Sequence, residues 1–499
     1  MDKIYKIHTN DNVAVALEDL SRGSEVGFAG EKILLLQDVP AGHKVAIEDI
    51  PRGENIVKYG FPIGTAVEDI KQGSWVHTHN VKSRLGKLLN YRYRPEQAQP
   101  PRVPIQREYF FDGFARSDGT VGIRNEVWII PTVGCVNAIA RAIEQKSQKF
   151  LAEYPQVEGI YAYSHPHGCS QLGDDHLHTQ KILSGLTKSP NAGAVLIVGL
   201  GCENNQIGQM KSVIGDFPKG RIDFLVCQDE EDEVAAGVAM VKNLCRYADQ
   251  FRRTPQPVSK LILGLKCGGS DGFSGITANP LVGAVADKLV AAGGTVILTE
   301  VPEMFGAETI LMNRCRDKNT FGKTVELING FKSYFMRYGE KVDENPSPGN
   351  KAGGITTLED KSLGCVQKGG TQPVQDVLGY GNRAEEHGLL LLEGPGNDLV
   401  AANALAAAGV DMVLFTTGRG TPFACPVPTV KIASNSKLAA HKSNWIDFNA
   451  GRLVEGSSME DLAEEFFNFL LNVASGKQHA KSEKLDKHEL AIFKDGVTL

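Results

Sequence analysis

No stretch of this 499-residue sequence approaches the roughly 20 consecutive apolar residues needed to cross a bilayer, so no membrane-spanning helix is expected. The opening "MDKIYKIHTN" lacks the apolar segment of a secretory leader, and a cytoplasmic location is the expectation. Basic residues are not in excess either: 53 Lys and Arg face 59 Asp and Glu, for a net charge of −6. That balance offers nothing to a polyanion, and no nucleic-acid partner is expected. The nine cysteines show no C-x-x-C spacing, and an odd number spread over so long a chain is not a disulfide framework. The thiols are therefore free to serve as ligands or as core residues. Complete nucleotide-binding glycine motifs are missing too. "GLGCEN" at Gly199, "GPGNDL" at Gly394 and "GRGTPF" at Gly418 each lack the third glycine of G-x-G-x-x-G, and none matches G-x-x-x-x-G-K-[ST].

What is present divides the chain, which is too long for a single core. In residues 1–90, short β-rich runs alternate with turns, and a unit recurs as "EDLSRG", "EDIPRG" and "EDIKQG" at Glu18, Glu48 and Glu68. An acidic start and a glycine able to take positive φ make a tight turn between strands, so a small all-β domain is expected. Residues 91–108, "YRYRPEQAQPPRVPIQRE", carry four prolines and read as an extended linker. Beyond them, continuous apolar strands ("EVWIIP", "AGAVLIV", "LILGLKC", "LLLL", "MVLFTT") alternate with amphipathic helix-length runs. That texture predicts parallel sheets covered on both faces, in a middle domain at 109–255 and a C-terminal domain at 256–499 divided near "RRTPQPVSK". The acidic run Asp229–Glu233 is expected at a helix N-terminus.

Ligands of open parallel sheets bind beyond the carboxyl ends of the strands. Polar residues crowd those ends here: "SHPHGCSQLGDD", "GLGCENN", "KCGGSDGFSG", "TEVPEMFGAE", "GPGND" and "TTGRGTP". Three H-x-H units stand out. His77 and His79 in "SWVHTHN" would share a strand face and reach one metal together, whereas His176 and His178 diverge if their segment is helical. Cys169, Cys202 and Cys267, at strand ends beside polar partners, suit an iron–sulfur cluster or a single metal. Cys135, Cys227, Cys245, Cys315 and Cys425 read as structural.

The stretches "HTHN", "GIRNE", "PTVGCVN", "GCSQLGDDH", "GLGCENNQ", "CGGSDGFSGITANP", "TEVPEMFGAE", "ENPSPGNKAGGITTLEDKSLGC" and "TGRGTPFACPVPTVKIASNS" resemble the altronate/galactarate dehydratase family of sugar-acid hydro-lyases, over essentially the whole chain. The resemblance implies an N-terminal β-clip (SAF-like) domain, a linker, a middle domain and a Rossmann-like α/β C-terminal domain. It also implies ferrous iron and dehydration of D-altronate to 2-dehydro-3-deoxy-D-gluconate in hexuronate catabolism, with galactarate as the rival substrate. Such chemistry removes a proton from C2 and expels hydroxide from C3, which calls for a Lewis acid, a base and a carboxylate clamp. The expected roles are metal binding by His77, His79, Cys169, Cys202 and Cys267, with His167 as base and Glu203 as a catalytic carboxylate completing or bordering the metal site. Arg124 or Arg419 would clamp the substrate carboxylate, while Asn204, Asn205, Ser270 and Asp271 read its hydroxyls. A nicotinamide-dependent oxidoreductase and a bare sugar-acid binding protein are the other readings. Hydro-lyases of this size are commonly dimers, and a homodimer is expected.

Overall fold

The computed structural model describes residues 3–86, 88–95, 108–485 and 490–499. Of the expected linker, residues 96–107 lie outside that set, whereas its start is docked: Tyr93 Oη donates to the Cys315 carbonyl (2.6 Å).

The N-terminal region folds as small antiparallel sheets, the largest ordered Ile4–Tyr5, Val13–Ala16, Lys44–Ala46, Trp75–Val76. The repeated turn works as its composition implies. Gly23, Gly53 and Gly73 have φ of 77°, 90° and 84°, and Asp49 and Asp69 accept the amides of Gln72 and Arg52 in neighbouring turns. At Gly73 a Cβ would sit 2.0 Å from the Leu34 carbonyl oxygen, so only glycine fits. A fourth, divergent copy escaped the sequence pattern: in "QDVPAG", Asp38 holds the Arg22 amide and Gly42 has φ 82°.

The middle sheet is parallel throughout, ordered Gly159–Ala162, Glu126–Pro131, Ala192–Gly199, Ile222–Val226. The C-terminal sheet is also parallel, in the order Val374–Leu378, Gly388–Leu392, Thr295–Leu298, Ile262–Cys267, Met412–Thr417, Thr429–Ala433, Phe448–Asn449. Period-two alternation splits each buried strand between two cores: Leu389 and Leu391 enter one, Leu390 and Leu392 the other. The second core also takes Trp128, Ile130, Val195 and Ile197 from the middle sheet, so the two α/β units share it. Helices Gly173–Thr187 and Asp398–Ala408 meet inside that core, closely enough that a Cβ on Gly185 would lie 2.4 Å from the Ala407 carbonyl oxygen.

The acidic run does start a helix: Asp232 caps Glu233–Ala248 through the Ala235 amide (2.8 Å). "RRTPQPVSK" is more than a boundary. Its Arg253–Pro257 forms an edge strand antiparallel to Phe110–Ala115, so the expected division at 255/256 falls inside a strand. Proline is tolerated there because an edge strand can leave donors unused.

Candidate active site

Three neighbouring strands of the larger sheet deliver the densest chemistry. Cys267 ends Ile262–Cys267, and the loop after Thr295–Leu298 carries Glu300 and, on the turn Val301–Met304, Glu303. The loop after Gly388–Leu392 brings Gly394–Asp398 alongside, and Cys365 closes the helix Leu358–Cys365, which Thr357 caps. Cys267 Sγ lies 3.0 Å from Glu303 Oε2 and 3.4 Å from Cys365 Sγ, and Cys365 Sγ lies 3.2 Å from Glu303 Oε2. Among the described residues, this is the one group of three His, Cys, Asp or Glu side chains whose ligand atoms converge within 4.8 Å.

Lysines surround it. Lys361 Nζ donates to Glu303 Oε1 (2.7 Å), and Lys266 Nζ to Glu300 Oε1 (2.6 Å) and Asp398 Oδ1 (2.9 Å). Lys368 Nζ reaches Glu300 Oε2 at 3.3 Å. Three ammoniums thus face three carboxylates, and the cluster is neutral while both thiols keep their protons. Releasing the two thiol protons leaves two negative charges, which a divalent cation would cancel. Burial alone would raise the Glu303 pKa, but Lys361, Lys368 and Lys266 outweigh it and bring the carboxyl to about 2. At Glu300 burial wins over Lys266, and the pKa is raised. The Cys365 thiol, hydrogen-bonded to Cys267 and buried, holds its proton well above the ordinary range. Glu300 also occupies the left-handed region (φ 69°, ψ 58°), a strain of about 1–3 kcal/mol for a non-glycine residue, which its buried bonds to two lysines and the Cys267 amide sustain.

The cluster has polar neighbours. Lys361 also touches Asn345 Oδ1 (3.1 Å) and Asn350 Oδ1 (3.3 Å). Asn345, Pro302 and Gly396 line a cavity of about 300 Å³ together with Phe331, Tyr334, Phe335 and Phe493. Asn350 Nδ2 donates to the Ser270 carbonyl, and Ser270 Oγ is buried without a partner.

The N-terminal domain grips the segment that carries these groups. Gly42 packs against Gly272 and Gly354, where a Cβ on Gly354 would lie 2.3 Å from the Gly42 carbonyl oxygen. Lys44 and Lys58 converge on buried Asp360 at 2.8 and 2.9 Å. Trp75 Nε1 donates to His43 Nδ1 (3.1 Å), which leaves the His43 proton on Nε2, facing the Ala352 carbonyl.

The expected site residues divide between two rims rather than sharing one. Cys267, Ser270, Asp271 and Arg419 belong to the edge just described. Asp271 is buried and accepts from Ser274, Ser434 and Asn435, so its carboxylate organises the loop and is not free for a hydroxyl. Arg419 is exposed, beside Gly349. His167, Cys169, Cys202, Glu203, Asn204 and Asn205 lie on the middle-sheet edge. There Glu203 is taken by Thr132 and the amides of Leu200 and Gly201, and Asn204 by the Ser170 amide. Cys169 and Cys202 are exposed and do not join Cys267. Arg124 lies at the opposite, amino end of its sheet, with Nε and Nη2 on Glu483 and Nη1 on two carbonyls, so four of its five donors are taken within the fold. His77 and His79 do not share a strand face, because the strand ends at Val76. His77 is buried with Nδ1 on Thr356 Oγ1 (3.1 Å) and its ring stacked on Trp75, while His79 is exposed and tilted on the same indole. His176 and His178 are both on the helix Gly173–Thr187 and diverge, as their spacing implies. Sequence reasoning missed Glu303, Cys365, Lys361 and Lys368. "TEVPEMFGAE" was visible as a polar strand end, but nothing in the sequence announces that it meets Cys365 at the end of the helix Leu358–Cys365.

Models of three families match in register with this architecture: the altronate/galactarate dehydratase SAF domain over residues 2–84, the D-galactarate dehydratase/altronate hydrolase second domain over 113–249, and the D-galactarate/altronate dehydratase C-terminal domain over 258–498. The chain belongs to the altronate/galactarate dehydratase family. Within that family it is 53% identical to the altronate dehydratase of Escherichia coli (strain K12), covering 99% of each chain, and 51% identical to that of Bacillus subtilis (strain 168), covering 100% of each. The galactarate dehydratase (L-threo-forming) of Escherichia coli is 32% identical over 98% of this chain and 96% of its own length. Family membership makes the protein a hydro-lyase.

Proposed function

We propose that this protein dehydrates D-altronate to 2-dehydro-3-deoxy-D-gluconate at the carboxyl edge of the C-terminal sheet, a Rossmann-like doubly wound unit. The likeness to the altronate dehydratases over the full length of both chains favours altronate over galactarate. The observation that carries the site is the convergence of two thiols and a carboxylate within 4.8 Å beside Lys361.

Two soft thiolates and one hard carboxylate suit ferrous iron, and the three protein donors leave coordination positions for substrate oxygens. Bound there, iron would supply Lewis-acid stabilisation of the developing enediolate and of the departing hydroxyl. Cys267, Cys365 and Glu303 would hold it, with Lys266, Lys361 and Lys368 balancing the donors' charge. Arg419 would meet the substrate carboxylate, Lys361, Asn345, Asn350 and the unpartnered Ser270 hydroxyl its polyol oxygens. The N-terminal domain would present His77 and His79 for proton transfer. Burial and the Lys44 ammonium keep His77 neutral, with the pKa lowered to about 3. A cytoplasmic homodimer completes the reading.

Iron and acid-labile sulfide, measured per chain on anaerobically purified protein beside a D-altronate assay, test it. Iron without sulfide, lost together with activity in Cys365→Ser, is the expected result. Stoichiometric sulfide, or full iron content in Cys365→Ser, would move the metal to the thiols of the middle-sheet edge.

A further inference from the structure

A second cavity, of about 620 Å³, lies between the N-terminal domain, the first linker residues and the C-terminal domain, and none of the convergent donors lines it. Its size is that of small-molecule sites, which are commonly 300–1,000 Å³. Its walls are largely apolar, including Phe61, Tyr91, Ala284 and Ile310, yet three arginines, Arg92, Arg94 and Arg314, also line it. Arg314 is the informative one. It is 93% buried, its Nη1 donates to the Gly370 carbonyl, and its Nε and Nη2 have no partner. Buried N–H groups are rarely left unpaired in a native protein, because each forfeits its hydration without a replacement. The acidic residue of the lining, Asp287, does not satisfy them: its carboxylate accepts from the Thr371 amide and hydroxyl and from the Gln372 amide.

We infer that this cavity is a binding site for a small organic anion, a carboxylate or phosphate monoester, whose oxygens pair with Arg314 Nε and Nη2 while its body packs on the apolar walls. A guanidinium edge with two free parallel donors matches the oxygens of such a group. The site is wired to the metal-donor cluster. Leu363, Val366 and Gln367 line the cavity, while Cys365 and Lys368, in the same stretch of chain, face Glu303 and Glu300. Arg314 holds the end of that stretch through Gly370. An anion that repositions Arg314 therefore acts on the helix turn that sets Cys365 and Lys368, which makes the cavity a regulatory site for the dehydration proposed above.

Calorimetric titration of the iron-loaded protein with benzenesulfonate, an anion with an apolar ring and little affinity for iron, tests binding without reference to turnover. One site per chain is expected, tighter than about 1 mM. Arg314→Met should weaken binding at least tenfold, and Ala284→Trp should abolish binding by filling the cavity. Displacement by 2-dehydro-3-deoxy-D-gluconate would identify a carboxylate feedback ligand, and displacement by glycerol 3-phosphate a phosphate ester. In steady-state assays benzenesulfonate should change kcat for D-altronate. No binding, or binding unaltered in both variants, would overturn the site. Purely competitive inhibition, or saturation of the site without any kinetic effect, would overturn its regulatory role.

Discussion

Replacing Asp360 with asparagine removes one carboxylate on which two domains converge. Asp360 is 2% exposed and accepts from Lys44 Nζ (2.8 Å), Lys58 Nζ (2.9 Å) and the Thr356 amide (3.0 Å). Opposite charges about 4 Å apart attract by about 4 kcal/mol at an effective dielectric constant near 20. The two lysines repel each other, so the two attractions do not add in full. Stripping one partner from a buried pair typically costs about 3–5 kcal/mol, and that is the destabilisation expected for Asp360→Asn at pH 7. The pH dependence gives the sharper signature. Burial already lowers the Lys44 pKa from 10.5 to about 8 with the carboxylate present, and without it the folded value falls further. Between that folded value and the unfolded one the unfolded chain binds more protons, so stability rises with pH. The deficit of the variant should therefore shrink between pH 7 and pH 10. Because Asp360 shares its helix with Lys361 and Cys365, kcat for D-altronate should fall as well. Urea denaturation at both pH values is the assay, with Asp360→Asn/Lys44→Met as the partial rescue. A variant within about 1 kcal/mol of wild type at pH 7, with an unchanged pH profile, would refute the clasp.

Three further outcomes follow from single residues. His77, neutral in the fold with its pKa lowered to about 3, refuses a proton that the unfolded chain accepts below 6.5. Wild-type stability should thus fall with acidification from pH 6.5 toward 3, by up to about 1.4 kcal/mol per pH unit, and His77→Asn should flatten that limb in acid titrations followed by circular dichroism. Arg124→Met, which breaks the buried pair with Glu483, should cost about 3–5 kcal/mol in urea melts and leave KM for altronate unchanged. A raised KM at unaltered stability would restore the substrate clamp to Arg124. Gly354→Ala, at φ 101° and with a Cβ only 2.3 Å from the Gly42 carbonyl oxygen, should destabilise by more than about 1 kcal/mol. Wild-type stability in this variant would show that the domain contact yields freely.

The α/β texture was legible because burial on both faces demands apolar runs. "EVWIIP", "AGAVLIV", "LILGLKC", "LLLL" and "MVLFTT" are all strands, and all parallel. The turn repeat was legible through its glycines, since positive φ leaves a mark on composition. The short edge strands Val374–Leu378 and Phe448–Asn449 were not, because partly exposed strands lack a continuous apolar run. The strand-end rule located Cys267 and the neighbourhood of Glu303, but missed Cys365, which ends a helix, and treated two sheets as one rim. That last error placed Cys169 and Cys202 with Cys267.

The sequence by itself therefore determined the class of the buried strands and of the repeated turns, the family and the chemical inventory, since periodicity, turn glycines and residue type are local properties. Which thiol meets which carboxylate was decided by the order of strands in the larger sheet and by the helix Leu358–Cys365 reaching across its edge. Cys267 and Cys365 are 98 residues apart and touch at 3.4 Å. Lys44 and Asp360 are 316 apart and share a proton-bearing contact at 2.8 Å. No local pattern encodes either meeting, because each depends on a crossover or a domain contact that only the folded chain makes.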